Sequence, residues 1–141
     1  MAVSIEAITA DDTLDLRSRV LREGRAHEGF PDDREPTTLH LGARLNGELV
    51  GVATFAPHED GMWQLRAMAV DDRLQRQGVG RALLDAGLEQ LRAQAAELVW
   101  ANGRDTALAF YEGVGWRTVG DGYVMGPFDL PHHRVERDLR G

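Results

Sequence analysis

Apolar and polar positions alternate through much of the first half of the chain, so the first elements it predicts are strands. Val3–Ile8 is the first of these. Thr9-Ala-Asp-Asp12 follows with capping-box spacing, Asp12 standing where Glu or Gln is usual. The helix it opens turns Leu14, Leu16, Val20 and Leu21 toward a core, with Arg17, Arg19 and Arg22 interleaved as a solvated face. Gly24–Thr38 has no period and is rich in charge, Gly and Pro, which predicts a long loop. Leu39–Leu45 alternates again, Asn46-Gly47 supplies a two-residue hairpin turn that needs positive φ, and Glu48–Ala56 is the returning strand. A turn at Pro57–Gly61 leads into Met62–Val70, the third member of this meander.

The period then changes. Leu83, Leu84, Leu88 and Leu91 fall at helical spacing and predict a helix over 78–94. Glu97–Ala101 is a short apolar strand, so strand, helix and strand make a βαβ unit with its two strands parallel. Asp105 is placed to cap a helix running to about Gly113, and Gly115 fits its end. Trp116–Val119 is a strand and Gly120-Asp-Gly122 a turn. The tail reads as a strand from Tyr123, a break from Gly126-Pro127 through Pro131-His132-His133, and an alternating last strand Arg134–Leu139.

Composition narrows the function classes. With 141 residues, 43% hydrophobic and 28% charged, one globular domain over 1–141 is expected. No run of 18 apolar residues exists, and Met-Ala-Val-Ser-Ile-Glu lacks the basic start and apolar stretch of a signal peptide, so a cytoplasmic location is expected. The chain has no cysteine, hence no disulfide and no thiol nucleophile. All sixteen basic residues are arginine, which excludes a catalytic lysine. A net charge of −7 argues against nucleic acid as a partner and favours a cationic acceptor such as an amine.

The chemistry concentrates at Val70-Asp-Asp-Arg-Leu-Gln75-Arg76-Gln77-Gly78-Val79-Gly80-Arg81, where a strand gives way to a helix through two glycines. Helix N-termini leave amides without partners and carry roughly half a positive charge, and glycine lets a ligand reach them. With Arg73, Arg76 and Arg81 alongside, the loop reads as a phosphate or pyrophosphate site. A Walker loop requires a lysine, which is absent. A Rossmann fingerprint fails because Leu83 holds the third glycine position and seven residues separate Val70 from Gly78. Two glycines easing helix packing are the plain structural alternative.

Gln75-x-x-Gly78-x-Gly80 after a strand resembles the acyl-CoA loop of the GNAT-type N-acetyltransferase superfamily. Trp100-Ala-Asn102-Gly-Arg104-Asp-Thr-Ala107-Leu-Ala-Phe110-Tyr111-Glu-Gly-Val-Gly115-Trp116 is similar to its second signature, in the family's order and spacing. Arg104 departs from it, standing where many members carry Asn, and the Trp-x-Asn-x-Arg variant resembles a subgroup of small single-domain acetyltransferases. The resemblance implies an α/β fold of α+β type. Its central sheet is mixed and mostly antiparallel, with a splayed parallel pair and helices on both faces.

It further implies acetyl-CoA as co-substrate, no metal, and a small-molecule or peptide amine as acceptor. Gln77–Arg81 would hold the diphosphate, the edge of Met68-Ala69-Val70 would take the pantetheine arm, and Gln75, Arg76, Asn102 and Phe110 would also contact the cofactor. A backbone N–H near Met68 would polarise the thioester carbonyl, and Tyr111 would act as general acid toward the departing thiolate. A free phenol near pH 10 and a thiol near 8.5 are close enough for that transfer.

The general base is open among His40, His133, Glu59, Asp33 and a water chain. Arg17, His40 and His133 are the acceptor-side candidates, and acidic residues of the 24–38 loop could receive an ammonium group. His40, Arg17 and Tyr111 each have a plain alternative as structural residues. Adjacent His132 and His133 point opposite ways on a strand, which argues against a metal pair. A non-catalytic acyl-CoA sensor is the competing function class, no membrane or nucleic-acid partner is expected, and a homodimer, the commonest assembly, is left open.

Overall fold

Seven strands form one sheet in the order β1-β2-β3-β4-β5-β7-β6. In the computed structural model, which describes residues 2–140, they are β1 (Ser4–Ala7), β2 (Leu39–Leu45), β3 (Glu48–Pro57), β4 (Met62–Val70), β5 (Leu98–Arg104), β6 (Arg117–Met125) and β7 (Leu130–Asp138). Every neighbouring pair is antiparallel except β4 and β5. Helix α2 (Val79–Ala93) makes the crossover between those two parallel strands. No helix among the described residues is long and apolar enough to cross a membrane.

Strand β3 is buried on both faces, and the core divides around it. On one side α2 lays Leu83, Leu84, Leu88 and Leu91 against Leu41, Phe55 and Val99. Gly87 permits this approach, since a Cβ there would stand 2.3 Å from the Phe55 ring. On the other side Leu16 packs with Val52 and Ala69. Leu16 ends α1 (Leu14–Leu16), which follows a 3-10 turn (Asp11–Thr13) and continues into a π turn (Arg17–Leu21). The capping box at its start is reciprocal: Thr9 N–H donates to Asp12 at 3.0 Å and Asp12 N–H to Thr9 Oγ1 at 3.2 Å. Helix α3 (Leu108–Gly113) packs beside β5, β6 and β7.

Four sequence expectations change. The first helix is not regular, and the π turn rotates Arg17 off the solvated face into the interior, where it is fully buried. Strand β5 runs on through Asn102 to Arg104 instead of ending at Ala101, because β7 pairs with it over that whole length. The expected break over 126–133 is a tight hairpin. Asp129 N–H bonds Gly126 C=O at 3.3 Å, and β7 has begun by Leu130. Gly120–Gly122, expected as a turn, is a bulge inside β6, where the register shifts between Val119 and Tyr123.

Arg17 also decides how the long loop sits. Its Nη1 donates to Asp33 Oδ2 at 2.7 Å and its Nη2 to Thr54 Oγ1 at 2.8 Å. His40 bridges Thr54 Oγ1 (2.8 Å) and the Asp33 carbonyl (2.7 Å). Phe30 N–H donates to the same carboxylate, and the Arg17 guanidinium lies 5.3 Å from the Phe30 ring. Burial raises the Asp33 pKa, but Arg17 and the Phe30 amide outweigh it and leave the carboxyl below its usual range.

Arg17→Leu therefore strands a buried carboxylate and should cost about 3–5 kcal/mol in urea unfolding. The folded-state value of Asp33 lies below its unfolded one. Its contribution is therefore complete above the ordinary carboxylate value near 3.9 and disappears as pH falls through the lowered value. The stability gap between wild type and Asp33→Asn should accordingly be constant at neutral pH and shrink below about pH 4 in parallel melts.

Candidate active site

Strands β4 and β5 pair only from Met62–Leu65 to Leu98–Ala101. Beyond that point Ala67 and Met68 stand opposite the single residue Ala53, a bulge with Ala67 at φ +48° that carries β4 out of the regular ladder. Asn102–Arg104 keep only their β7 partners. The parted strands open onto a cavity of about 270 Å³ lined by Leu65, Ala67, Met68, Ala101, Asn102, Arg104 and Tyr111. Leu21, Arg22, His27 and Phe30 close it on one side, and the 125–128 segment with Leu130 and His132 on the other.

The glycine loop adjoins this cleft. Gly78 precedes α2 at φ +88°, a conformation glycine takes without strain, and a Cβ on it would meet no atom within 4 Å. The first amides of α2 take no capping side chain, and the space beside Gly78 is open. A Cβ on Gly80 would stand 3.3 Å from Phe110 Cζ and 3.8 Å from Met68 Cε, so the loop sits against the cleft wall. Not every flanking arginine is available. Arg73 is tied to Asp71 at 2.8 Å and to Glu48, and Arg81 stands 3.8 Å from Asp85. Arg76 is exposed and in no ion pair among the described residues. Gln75 Nε2 donates to Val70 C=O and Asp72, and so braces the loop itself.

Tyr111 lies in the cleft wall with its ring 5.4 Å from Phe110 and 5.3 Å from Trp116. Burial alone pushes its phenol up to about 12. Asn102 accepts from Tyr123 Oη at 2.5 Å, and the Tyr123 ring stacks on His132. The tautomers of the two cleft histidines follow from their partners. His132 Nδ1 faces the Leu130 carbonyl at 2.7 Å, so it must donate, which leaves Nε2 with a free lone pair. His27 Nδ1 accepts from Gly29 N–H at 3.0 Å, so its ring proton sits on Nε2. Burial, Arg17 and Arg22 push His27 down to about 4 and keep it neutral.

The cleft thus gathers Met68, Asn102 and Tyr111, with Phe110 and the 75–81 loop adjoining. Arg17 and His40 are not on it. Both are consumed by the Asp33–Thr54 network, because the π turn and the buried face of β2 point them inward. His133 is also absent from the lining. It bonds Asp105 at 2.7 Å on the opposite face of β7 from His132. Two of the loop carboxylates are engaged as well, Asp33 by Arg17 and Asp32 by Arg66, and neither Glu28 nor Glu35 lines the cavity. Arg22, Arg104 and His27 were not singled out as site residues from the sequence. Only the departure at Arg104 from the usual Asn marked one of them.

A splayed parallel pair inside an antiparallel sheet, with an uncapped helix N-terminus beside it, is the arrangement that the resemblance implies. The pattern of the Acetyltransferase (GNAT) family matches residues 6–116, and the chain belongs to that family. It is 28% identical over 137 residues to the uncharacterised N-acetyltransferase YitI of Bacillus subtilis, covering 92% of this chain and 89% of that one. It is 32% identical over 121 residues to the ribosomal protein bS18-alanine N-acetyltransferase of Escherichia coli K12, covering 79% and 81%. The crystal structure of an aminoglycoside 6'-N-acetyltransferase complexed with coenzyme A superposes with a TM-score of 0.72 over 98% of both chains, at 17% identity.

Only Tyr111 and Tyr123 are tyrosines. In Tyr123→Phe the remaining phenol should stay largely un-ionised at pH 10–11, where a free tyrosine goes from about half to about nine-tenths titrated. Ultraviolet difference spectra, with circular dichroism to confirm the fold, read this directly.

Proposed function

We propose that the chain moves an acetyl group from acetyl-CoA to a primary amine by direct attack in the cleft between β4 and β5. One observation carries this reading: the unpaired strand ends, Tyr111, and the open N-terminus of α2 adjoin one another through Met68, Gly80 and Phe110. The residues present suit the co-substrate, since the space beside Gly78 is empty of protein and its amides are uncapped. Gln77–Arg81 would hold the diphosphate, with Arg76 supplying charge. The free edge of Met68-Ala69-Val70 would pair with the pantetheine amides as a further strand would. The bound thioester supplies an acetyl carbonyl activated toward amines.

The chain's own residues then divide the proton work. His132 Nε2 takes a proton from the attacking amine as the C–N bond forms. A main-chain amide at the Met68 bulge stabilises the developing oxyanion, worth typically ~3 kcal/mol. As the C–S bond breaks, the Tyr111 hydroxyl donates to the sulfur. Its phenol is held near 12, above a free thiol near 8.5. The same dry surroundings disfavour the thiolate, so both values rise together and transfer stays feasible. The acceptor is a small-molecule or peptide amine. No observation favours a cofactor sensor over this reading.

Thiol release from acetyl-CoA across an amine panel is the primary test, and cofactor binding without turnover would move the assignment to a sensor. Gly78→Glu should abolish coenzyme A binding in calorimetry, because it strains the αL position and sets a carboxylate where phosphate belongs. Unchanged affinity would remove the loop from the site. Tyr111→Phe and His132→Gln should each lower kcat by about 10²-fold or more, with little change in acetyl-CoA affinity. Wild-type turnover in either variant would reassign that role.

A further inference from the structure

We propose that the acceptor is a small primary amine that also carries an anionic group, a carboxylate or phosphate, held by Arg22 and Arg104. This rests on the transfer reading above and names its substrate class. In a chain of net charge −7, the cleft lining contains Arg22 and Arg104 and no aspartate or glutamate. Of the 24–38 loop carboxylates, Asp33 and Asp32 are paired with Arg17 and Arg66, and Glu28 and Glu35 do not line the cavity.

Arg104 is half-buried at the end of β5, and its one hydrogen bond goes to the Leu21 carbonyl at 3.1 Å. A guanidinium carries five donors, so most of its bonding capacity is left over. Among the described residues neither Arg104 nor Arg22 has a carboxylate partner. The two also oppose one another: burial, and then the charge of Arg22, lower the pKa of Arg104. Two like charges drawn together beside a dry cleft are stabilised by an anion between them.

Neutral His27 adds its Nε2–H to this wall, a third donor with no acceptor. Such a wall repels an ammonium and accepts a neutral amine tethered to a negative group. The cavity of about 270 Å³ has room for a small acceptor beside the thioester.

Two arms test this. In steady-state transfer, β-alanine, O-phosphoethanolamine and the α-amino acids are compared with propylamine, ethanolamine and the decarboxylated amines. The anionic members should be preferred by at least about tenfold in kcat/KM. Arg22→Gln and Arg104→Gln should narrow that gap through KM for the anionic acceptors rather than through kcat. Equal use of both sets overturns the proposal.

The second arm needs no turnover. The arginine side-chain N–H resonances of the coenzyme-A-bound protein, assigned with the two variants, are followed while inorganic phosphate or acetate is titrated against a chloride control. Saturable shifts at Arg22 and Arg104 are expected, and their absence overturns the anion site. An absence of thiol release with every amine, alongside such shifts, would sink the transfer reading while leaving the anion site standing.

Discussion

Pairing between β4 and β5 stops after four residues on each strand, and the functional geometry follows from that interruption. A parallel pair carried to its end would satisfy the main-chain groups from Arg66 onward and leave no cavity between the strands. The bulge at Ala67 and Met68 prevents this by placing two residues against one on β3, which bends β4 aside. On the far side β7 takes over as partner of Asn102–Arg104, so β5 stays extended without β4. The sheet thus remains continuous at one end and open at the other. Helix α2, which must cross from the end of one strand to the start of the next, brings its N-terminus to the open end.

The buried Arg17–Asp33 pair has a different part. A fully buried guanidinium is costly unless its donors are met, and here carboxylate, hydroxyl and an aromatic face meet most of them. The pair joins the first helical segment to the 24–38 loop and, through Thr54 and His40, to β3 and β2. The loop that closes one side of the cleft is consequently held by ionic contacts rather than by secondary structure.

Local patterns made much of this legible. The capping box, the Asn46-Gly47 hairpin and the leucine stripe of α2 depend on residues a few positions apart, and all three are present. Tyr111 and Asn102 were found through a signature rather than a period, and both line the cleft. What the pattern did not reveal depended on distance or on phase. Arg17 meets Asp33 across sixteen residues, and the π turn that aims it there leaves no mark in hydropathy.

The tail pattern puts Pro131, His132 and His133 in a break, whereas β7 begins at Leu130. The register shows why a proline is tolerated there. Pairing with β5 begins only at His132, opposite Arg104, so β5 asks no hydrogen bond of the Pro131 nitrogen.

The two walls that flank the cleft come from opposite ends of the chain, the segment around Arg22–Phe30 and the hairpin near Met125–Leu130, while its floor is sheet. Surface connections tolerate insertion and exchange far better than the strands beneath them. Either rim can therefore be exchanged while the strand floor and the start of α2 are inherited intact, so that kindred chains on this scaffold can carry differently shaped mouths.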